Sequence, residues 1–229
     1  MSKYRHEYKY MLDAVQRQIL LIRADGLMQR DSHAGRDGIY TIRSLYFDDA
    51  ADTCLHENEA GTDPRSKFRI RYYNQDTGFI RLEKKCKYKG MTRKESCSLT
   101  AEETGRLAAG RFLPVSADMP DNKKRLLLEL QRRGLQPKVI VTYTRVPFVY
   151  PAGNVRITFD GNLTSSDETV RFLSGDYRQR PVLPPGQSIL EVKWDELLPL
   201  HIKERIQLDT LQWAPFSKYY ACRVTGLTV

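Results

Sequence analysis

Four stretches of the chain alternate apolar residues with charged ones, and most of the charges are positive. In the segment KFRIRYYN, Phe68 and Ile70 fall on one face of an extended strand, whereas Lys67, Arg69 and Arg71 fall on the other. The same alternation recurs in FIRLEKKCKY, NVRITFDGN and SILEVKWDE. Because successive side chains of a β-strand point to opposite faces, the pattern predicts a sheet with one apolar and one charged face.

The charged face of this predicted sheet is strongly basic. Between Arg65 and Lys94 the chain has eleven lysines and arginines but only two acids, Asp76 and Glu83. An antiparallel sheet often has one solvated face, but neighbouring strands that all present cations repel one another unless an anion lies between them. Two arrangements meet this condition. An open sheet presents a basic surface to a nucleic acid, whereas a closed barrel of about eight strands holds a small polyanion inside.

Predicted helices favour the barrel, because its apolar outer face needs to be covered. Residues 11–24 place Met11, Val15, Ile19 and Ile22 at near-helical spacing. Further helices are predicted at 100–110, 121–134, 198–211 and 217–222, and strands near 39–48, 66–74, 78–89, 91–99, 138–148, 154–160, 169–173 and 187–195. No linker is long enough to separate domains. We therefore expect one α+β domain over residues 1–229, an antiparallel closed β-barrel with a charged lumen covered by amphipathic helices.

Composition indicates the charge of the partner that the chain binds and the compartment in which the protein is expected. The net charge of +9, from 37 Lys and Arg against 28 Asp and Glu, indicates an anionic partner. The four cysteines form no C-x-x-C pair, so a zinc site is not expected. The N-terminus is charged from its third residue, and no run of about 18 apolar residues occurs. We expect a cytoplasmic protein without membrane insertion.

Seven short motifs occur in order along nearly the whole chain. They are R-x-E-x-K (5–9), S-L-Y-F-D (44–48), R-I-R (69–71), L-E-K-K (82–85), R-I-T-F-D (156–160), L-E-V-K (190–193) and S-K-Y (217–219). Together they resemble the VTC domain, the catalytic domain of the vacuolar transporter chaperone polyphosphate polymerases, which also occurs as a free-standing bacterial protein. The resemblance implies the triphosphate tunnel metalloenzyme fold, a barrel with a charged lumen.

The resemblance also implies roles for individual residues. The triphosphate and the growing chain would be held by Lys9, Arg69, Arg71, Lys85 and Arg156, with further phosphate contacts from Lys87, Lys94, Lys193 and Lys218. Lys218 resembles a basic residue near the tunnel mouth. Glu191 resembles the metal-binding glutamate, with Glu7 or Glu83 as additional ligands for Mn²⁺ or Mg²⁺. Arg5 stands where the hydrolase and cyclase branch of the superfamily usually has a glutamate, which favours the polymerase branch.

The implied activity is transfer of the γ-phosphate of ATP to inorganic polyphosphate. The same fold also serves hydrolases of inorganic triphosphate, thiamine triphosphate or RNA 5′ ends, and a non-catalytic polyphosphate-binding module would keep the same basic residues. A nucleic-acid partner is not expected, because the sequence has no helix-turn-helix, zinc-finger or RNP-type motif. The sequence does not indicate an oligomeric state.

Overall fold

The computed structural model describes residues 4–31, 34–35, 37–207 and 211–227. Its strands are β1 (His6–Leu12), β2 (Gln29–Arg30), β3 (Tyr40–Asp48), β4 (Arg65–Tyr73), β5 (Asp76–Tyr88), β6 (Met91–Leu99), β7 (Gln136–Tyr150), β8 (Val155–Ser166), β9 (Arg180–Pro181) and β10 (Ser188–Trp194). Its helices are α1 (Ala14–Asp25), α2 (Thr53–Glu59), α3 (Ala101–Ala108), α4 (Asp121–Arg132), α5 (Leu200–Ile206) and α6 (Lys218–Leu227).

The strands form one antiparallel sheet that curls into a half-barrel. Its strand order is β1-β10-β8-β7-β3-β4-β5-β6, while β2 pairs with β7 and β9 pairs with β8. The prediction of an α+β fold built on an antiparallel sheet is therefore confirmed. The predicted tight turn at Lys89–Gly90 is also present, and both residues have the positive φ (48° and 76°) that a two-residue hairpin turn favours.

The predicted closed barrel is not observed, because the sheet is open between its two end strands. Among the described residues, a single antiparallel bridge joins them, with backbone hydrogen bonds of 2.9 and 3.0 Å between Arg5 and Thr92. In this register, the residues that follow His6 face the Lys89–Gly90 turn instead of a strand. Pairing between β1 and β6 therefore cannot continue along β1.

The two faces of the sheet differ as the alternation predicts. On the convex face, Phe68 and Ile70 pack against α3 and α4, and a second apolar cluster joins β1, β8 and β10 to α1 and α5. The charged face is concave, since Glu7 of β1 contacts Lys85 of β5 although these strands lie near opposite ends of the sheet order. The helices α2 and α6 pack on part of this concave face, where Tyr219 belongs to a third apolar cluster.

The helix predicted at 11–24 exists, but its buried side differs from the predicted one. Met11 belongs to β1, and α1 begins after Asp13, whose side chain accepts a hydrogen bond from the backbone N–H of Gln16. Leu20 and Ala24 are the buried residues of α1. The predicted apolar positions are exposed instead, with fractions of 69% at Val15, 44% at Ile19 and 64% at Ile22.

Other observed elements differ from the predicted ones in length or in type. The helices at 100–110 and 121–134 are confirmed as α3 and α4. The helix predicted at 198–211 is the shorter α5, and positions 208–210 lie outside the described residues. The strand predicted at 169–173 is wrong, because a 3₁₀ turn, Thr169–Arg171, occupies it. Its backbone bonds are local, with the N–H of Phe172 donating to the Thr169 carbonyl at 3.1 Å.

Candidate functional site

At four places on the concave face, strand register sets opposite charges across from each other. Directly opposed pairs are Glu7 with Lys193, Lys9 with Glu191, Arg145 with Asp160, and Arg69 with Glu83. Cross-strand partners on one face lie close enough for such charges to attract each other. The concave face is therefore an organised charged layer rather than a surface of independent solvated side chains.

The seam cluster, defined here as Glu7, Lys9, Lys85, Glu191 and Lys193, lies where β1 meets β10 and approaches β5. The Lys85 ammonium donates to both Glu7 carboxylate oxygens, at 2.7 and 2.8 Å. Lys9 Nζ lies 3.1 Å from Glu7 and 3.9 Å from Glu191. Lys193 contacts Glu191 and also lies 3.8 Å from Glu7. Three ammonium groups thus share two carboxylates.

The excess positive charge of the seam cluster shifts the pKa values of its carboxyl groups. Burial raises the pKa of Glu7, but Lys85, Lys9 and Lys193 outweigh burial and hold the pKa well below its usual range. The pKa of Glu191 is likewise held low against burial by the surrounding cations. Burial lowers the pKa of Lys85 to about 7, and its partner Glu7 only partly opposes this. Both carboxylates are therefore ionised at neutral pH.

The carboxylates of the seam cluster suit a divalent cation that phosphate oxygens help to bind. Within the described ranges, no group of three or more His, Cys, Asp and Glu side chains is arranged to hold a metal ion. A protein cage is not needed, because Mg²⁺ is commonly bound by one or two carboxylates together with substrate phosphates. Glu7 and Glu191 lie close together, since Lys9 and Lys193 contact both of them, and a cation bound there would replace some of these ammonium contacts.

Glu83, the third predicted metal ligand, is engaged by two cations on β4 and β6. Its carboxylate accepts from Arg69 Nε at 2.7 Å and from Lys94 Nζ at 2.8 Å. Burial raises the pKa of Glu83, but Arg69, Arg71 and Lys94 together hold it far below its usual range. In this arrangement, Glu83 orients Arg69, and cations occupy its carboxylate as Lys85 and Lys9 occupy that of Glu7.

A buried triad of Arg145, Asp160 and Lys218 continues the charged layer beyond the seam cluster. Arg145 donates two hydrogen bonds to the Asp160 carboxylate, at 2.6 and 2.7 Å. Lys218 Nζ lies 2.6 Å from the same carboxylate. Arg145 also approaches Glu191 at 3.8 Å, so the triad and the seam cluster are in contact.

The three predicted arginines donate to tyrosine hydroxyl groups. The bonds are Arg69 to Tyr46 at 3.0 Å, Arg71 to Tyr143 at 3.3 Å, and Arg156 to Tyr40 at 3.0 Å. Arg156 also pairs with Asp31. These contacts fix the planar donor groups before any ligand arrives, and a fixed fork loses less entropy when it binds an anion.

The VTC domain family matches residues 4–225, nearly the whole chain. The chain belongs to the VTC domain family. No curated protein matches this VTC domain at a significant level. Among the helices that the structure describes, none is both long enough and apolar enough to span a membrane.

Two crystal structures share the fold of this VTC domain. One is a candidate adenylate cyclase from Bacillus halodurans, 14% identical, with a TM-score of 0.54 over 94% of this chain and 95% of that one. The other is a candidate adenylate cyclase from Vibrio parahaemolyticus, 11% identical, with a TM-score of 0.50 over 96% of this chain and 98% of that one. Sequence identities this low establish a common fold and do not extend to activity.

Every predicted site residue lies on the concave face of the VTC domain or contacts it. Lys87 follows Lys85 on the same face of β5, and Lys94 pairs with Lys85 across β5 and β6. Lys218 was predicted near the tunnel mouth, but the structure places it in the buried triad. The reason is that α6 packs on the concave face and directs Lys218 toward Asp160.

Two residues of the buried triad were not predicted. Arg145 lies in the segment VTYTRV, where Tyr143 and Arg145 alternate with Thr142 and Thr144. The charge of Arg145 within this predicted strand was the signal for a polar position. Asp160 ends the R-I-T-F-D motif, and its charge on the same face as Arg156 marked it as a candidate.

Proposed function

We propose that this VTC domain is a metal-dependent polyphosphate polymerase, which transfers the γ-phosphoryl group of ATP to the end of an inorganic polyphosphate chain. The observation that carries the proposal is the concave face, where basic side chains surround two ionised carboxylates, Glu7 and Glu191. A linear polyanion and a divalent cation are the ligands that such groups suit. Membership of the VTC domain family supports the same proposal.

In the proposed reaction, a terminal oxygen of the polyphosphate chain attacks the γ-phosphorus of ATP. The bond from that phosphorus to the β,γ-bridging oxygen breaks, and ADP leaves. The attacking oxygen is already anionic, so no strong general base is needed. Catalysis then depends on positioning and on charge neutralisation. When bound, Mg²⁺ or Mn²⁺ would neutralise part of the phosphate charge.

The arginines and the lysines have different roles in the proposed reaction. Arg69, Arg71 and Arg156 offer forked donors that bind two phosphate oxygens at once and so orient them. Lys9 and Lys85 act as compact charges beside Glu7. The absence of a nucleic-acid partner and a cytoplasmic location remain predictions.

Incubation of the purified protein with ATP and Mn²⁺ tests the proposal directly. We expect ADP and long polymer in matching amounts, with both lost when a chelator is added. Orthophosphate without polymer would instead assign the protein to triphosphate hydrolysis. Absence of turnover together with tight polyphosphate binding would indicate a non-catalytic binding module.

Replacement of Arg69 by alanine should lower the rate of polymer synthesis by at least about 100-fold, the cost of losing one charge-stabilising donor from an active site. Arg69 is fixed by Glu83 and Tyr46, so its loss removes an oriented fork. Glu83 keeps Lys94 as a partner, and we expect the variant to fold. The measurement is the initial rate of ADP release at saturating ATP.

Two further variants show whether geometry or charge matters at position 69. Arg69→Lys keeps the charge without the fork, so its rate should fall between those of the wild type and Arg69→Ala. Arg125→Ala removes an exposed arginine of α4 that pairs with Glu95 on the convex side, and it should keep the wild-type rate. Equal losses in Arg69→Ala and Arg125→Ala would contradict a specific role for Arg69.

A further inference from the structure

Three lysines form a row across β4, β5 and β6 on the concave face. Lys67 is the cross-strand partner of Lys85, and Lys85 is the partner of Lys94. Like charges directly opposite each other are destabilising. Two members of the row are compensated, because Lys85 pairs with Glu7 and Lys94 pairs with Glu83.

Lys67 differs from the other two lysines in having neutral partners only. Its ammonium donates to Asn58 Oδ1 and, at 2.9 Å, to Ser217 Oγ. It also lies 5.6 Å above the centre of the Tyr219 ring. In the part of the chain that the structure describes, no carboxylate lies within ion-pair distance of Lys67. No carboxylate of the described residues therefore stabilises the charged form of Lys67, and an anion that does not belong to the protein would do so.

The surroundings of Lys67 add positive charge. The charged and titratable groups that face it come from five elements: Arg65 of β4, Lys85 of β5, Lys9 of β1, Cys54 of α2 and Tyr219 of α6. Burial, followed by Lys9, Lys85 and Arg65, lowers the pKa of Lys67 well below its usual range. An anion at this point would therefore relieve repulsion among several cations at once.

We propose that Lys67 binds a phosphate of the linear polyanion directly, exchanging Asn58 and Ser217 for phosphate oxygens. The inference rests on the proposed function, because it takes the concave face to bind a phosphate chain. It places one contact of that chain at β4, next to the start of α6, in line with Arg69 and Arg71 on the same strand face.

Binding at Lys67 has a consequence that a purely structural lysine lacks. The negative charge of the phosphate raises the pKa of the Lys67 ammonium, so the protein takes up protons as the chain binds. Arginine at the same position is charged throughout and takes up none. Lys85, with its pKa of about 7, can also take up protons when the chain binds, so the part of the uptake that is lost on replacing Lys67 is the signature of Lys67 itself.

Titration calorimetry with tripolyphosphate, without ATP or metal, tests the inference on the full chain. Buffers of equal pH and different ionisation enthalpy give the number of protons absorbed. We expect Lys67→Met to weaken binding at least tenfold and to reduce proton uptake. Lys67→Arg should keep most of the affinity while reducing proton uptake as much. Lys124→Met, which removes a lysine paired with Asp121 on α4, should match the wild type in both.

The outcomes separate this inference from the proposed function. Wild-type affinity and proton uptake in Lys67→Met would overturn the role of Lys67 and leave the polymerase proposal standing. A wild-type protein that does not bind tripolyphosphate would overturn both. Weaker binding with unchanged proton uptake in Lys67→Arg would show that Lys67 shapes the site without contacting phosphate. If Lys67→Met does not fold, the proton count of Lys67→Arg decides.

Discussion

Replacement of Glu191 by glutamine should reduce the rate of polymer synthesis by at least about 100-fold, as when one charge-stabilising group is removed from an active site. The variant should still fold and still bind a phosphate chain. Glu191 is buried and ionised, and it contacts Lys9, Lys193 and Arg145. Glutamine keeps the size of the side chain but removes one of the two charges proposed to hold the metal. The half-saturating concentration of Mn²⁺ should therefore rise.

The same substitution should not weaken binding of tripolyphosphate in the absence of metal. Loss of a carboxylate increases the positive charge of the seam cluster, so affinity should stay the same or increase. Stability should fall by about 1 to 3 kcal/mol, the usual cost of losing hydrogen bonds to a charged group. Retention of Glu7 as a partner for Lys9 and Lys193 limits this loss.

Asp195→Asn is the matched control for Glu191→Gln. Asp195 follows β10 and pairs with Arg5 at 2.7 Å, outside the seam cluster. The Asp195→Asn variant loses one negative charge, as Glu191→Gln does, and should keep wild-type activity and metal dependence. A Glu191→Gln protein with wild-type rate and wild-type Mn²⁺ dependence would rule out the metal assignment.

The charged face could be predicted from the sequence because its signal is local. A strand repeats every two residues, so a short segment such as Lys67–Tyr73 already assigns each side chain to a face. Closure of the sheet is not local. It depends on where the hairpin turn at Lys89–Gly90 falls relative to Arg5, more than 80 residues earlier in the chain.

The helix α1 shows how a periodic pattern gives the right element and the wrong face. Val15, Ile19 and Ile22 have helical spacing, but so do Leu20 and Ala24, which are the buried pair. Which stripe is buried depends on how α1 packs on the sheet after the chain leaves β1, and Leu20 and Ala24 are the residues that join the cluster with β8 and β10. The sequence alone does not distinguish the two stripes.

The placement of Lys218 depends on contacts that span most of the chain. Asp48 is fully buried, and its carboxylate accepts from the backbone N–H groups of Cys54 and Leu55 at the start of α2. It also accepts from the Tyr219 hydroxyl at 2.5 Å. Asp48 thus attaches α6 to the concave face, which directs the neighbouring Lys218 inward. The S-L-Y-F-D and S-K-Y motifs were each recognised, but their contact was not.

Replacement of Asp160 by asparagine should produce the largest loss of stability among the site variants. Asp160 is the shared carboxylate of Arg145 and Lys218, and all three side chains are buried. Removal of one partner from a buried ion pair leaves uncompensated charge, at a cost of about 3 to 5 kcal/mol. The measurement is the free energy of unfolding in urea at pH 7.

The pH dependence of this loss has a defined sign. Burial raises the pKa of Asp160, but Arg145 and Lys218 outweigh burial and hold the pKa below its usual value. A carboxyl with a lowered folded-state pKa contributes stability above its unfolded-state pKa of about 3.9, and this contribution is lost as the pH falls toward the folded-state value. The difference between wild type and Asp160→Asn should therefore be constant near neutral pH and shrink below about pH 4.

A phosphate chain should partly restore the stability of Asp160→Asn, because its oxygens can neutralise the two cations that the substitution exposes. We expect tripolyphosphate to raise the urea midpoint of this variant more than that of the wild type. Asp167→Asn is the control, since Asp167 is exposed and pairs with Arg180 at 3.3 Å, a surface contact whose loss costs at most about 1 kcal/mol. Equal stabilisation of all three proteins by tripolyphosphate would mean that the triad lies outside the phosphate-binding region, and would confine binding to the seam cluster and the β4 arginines.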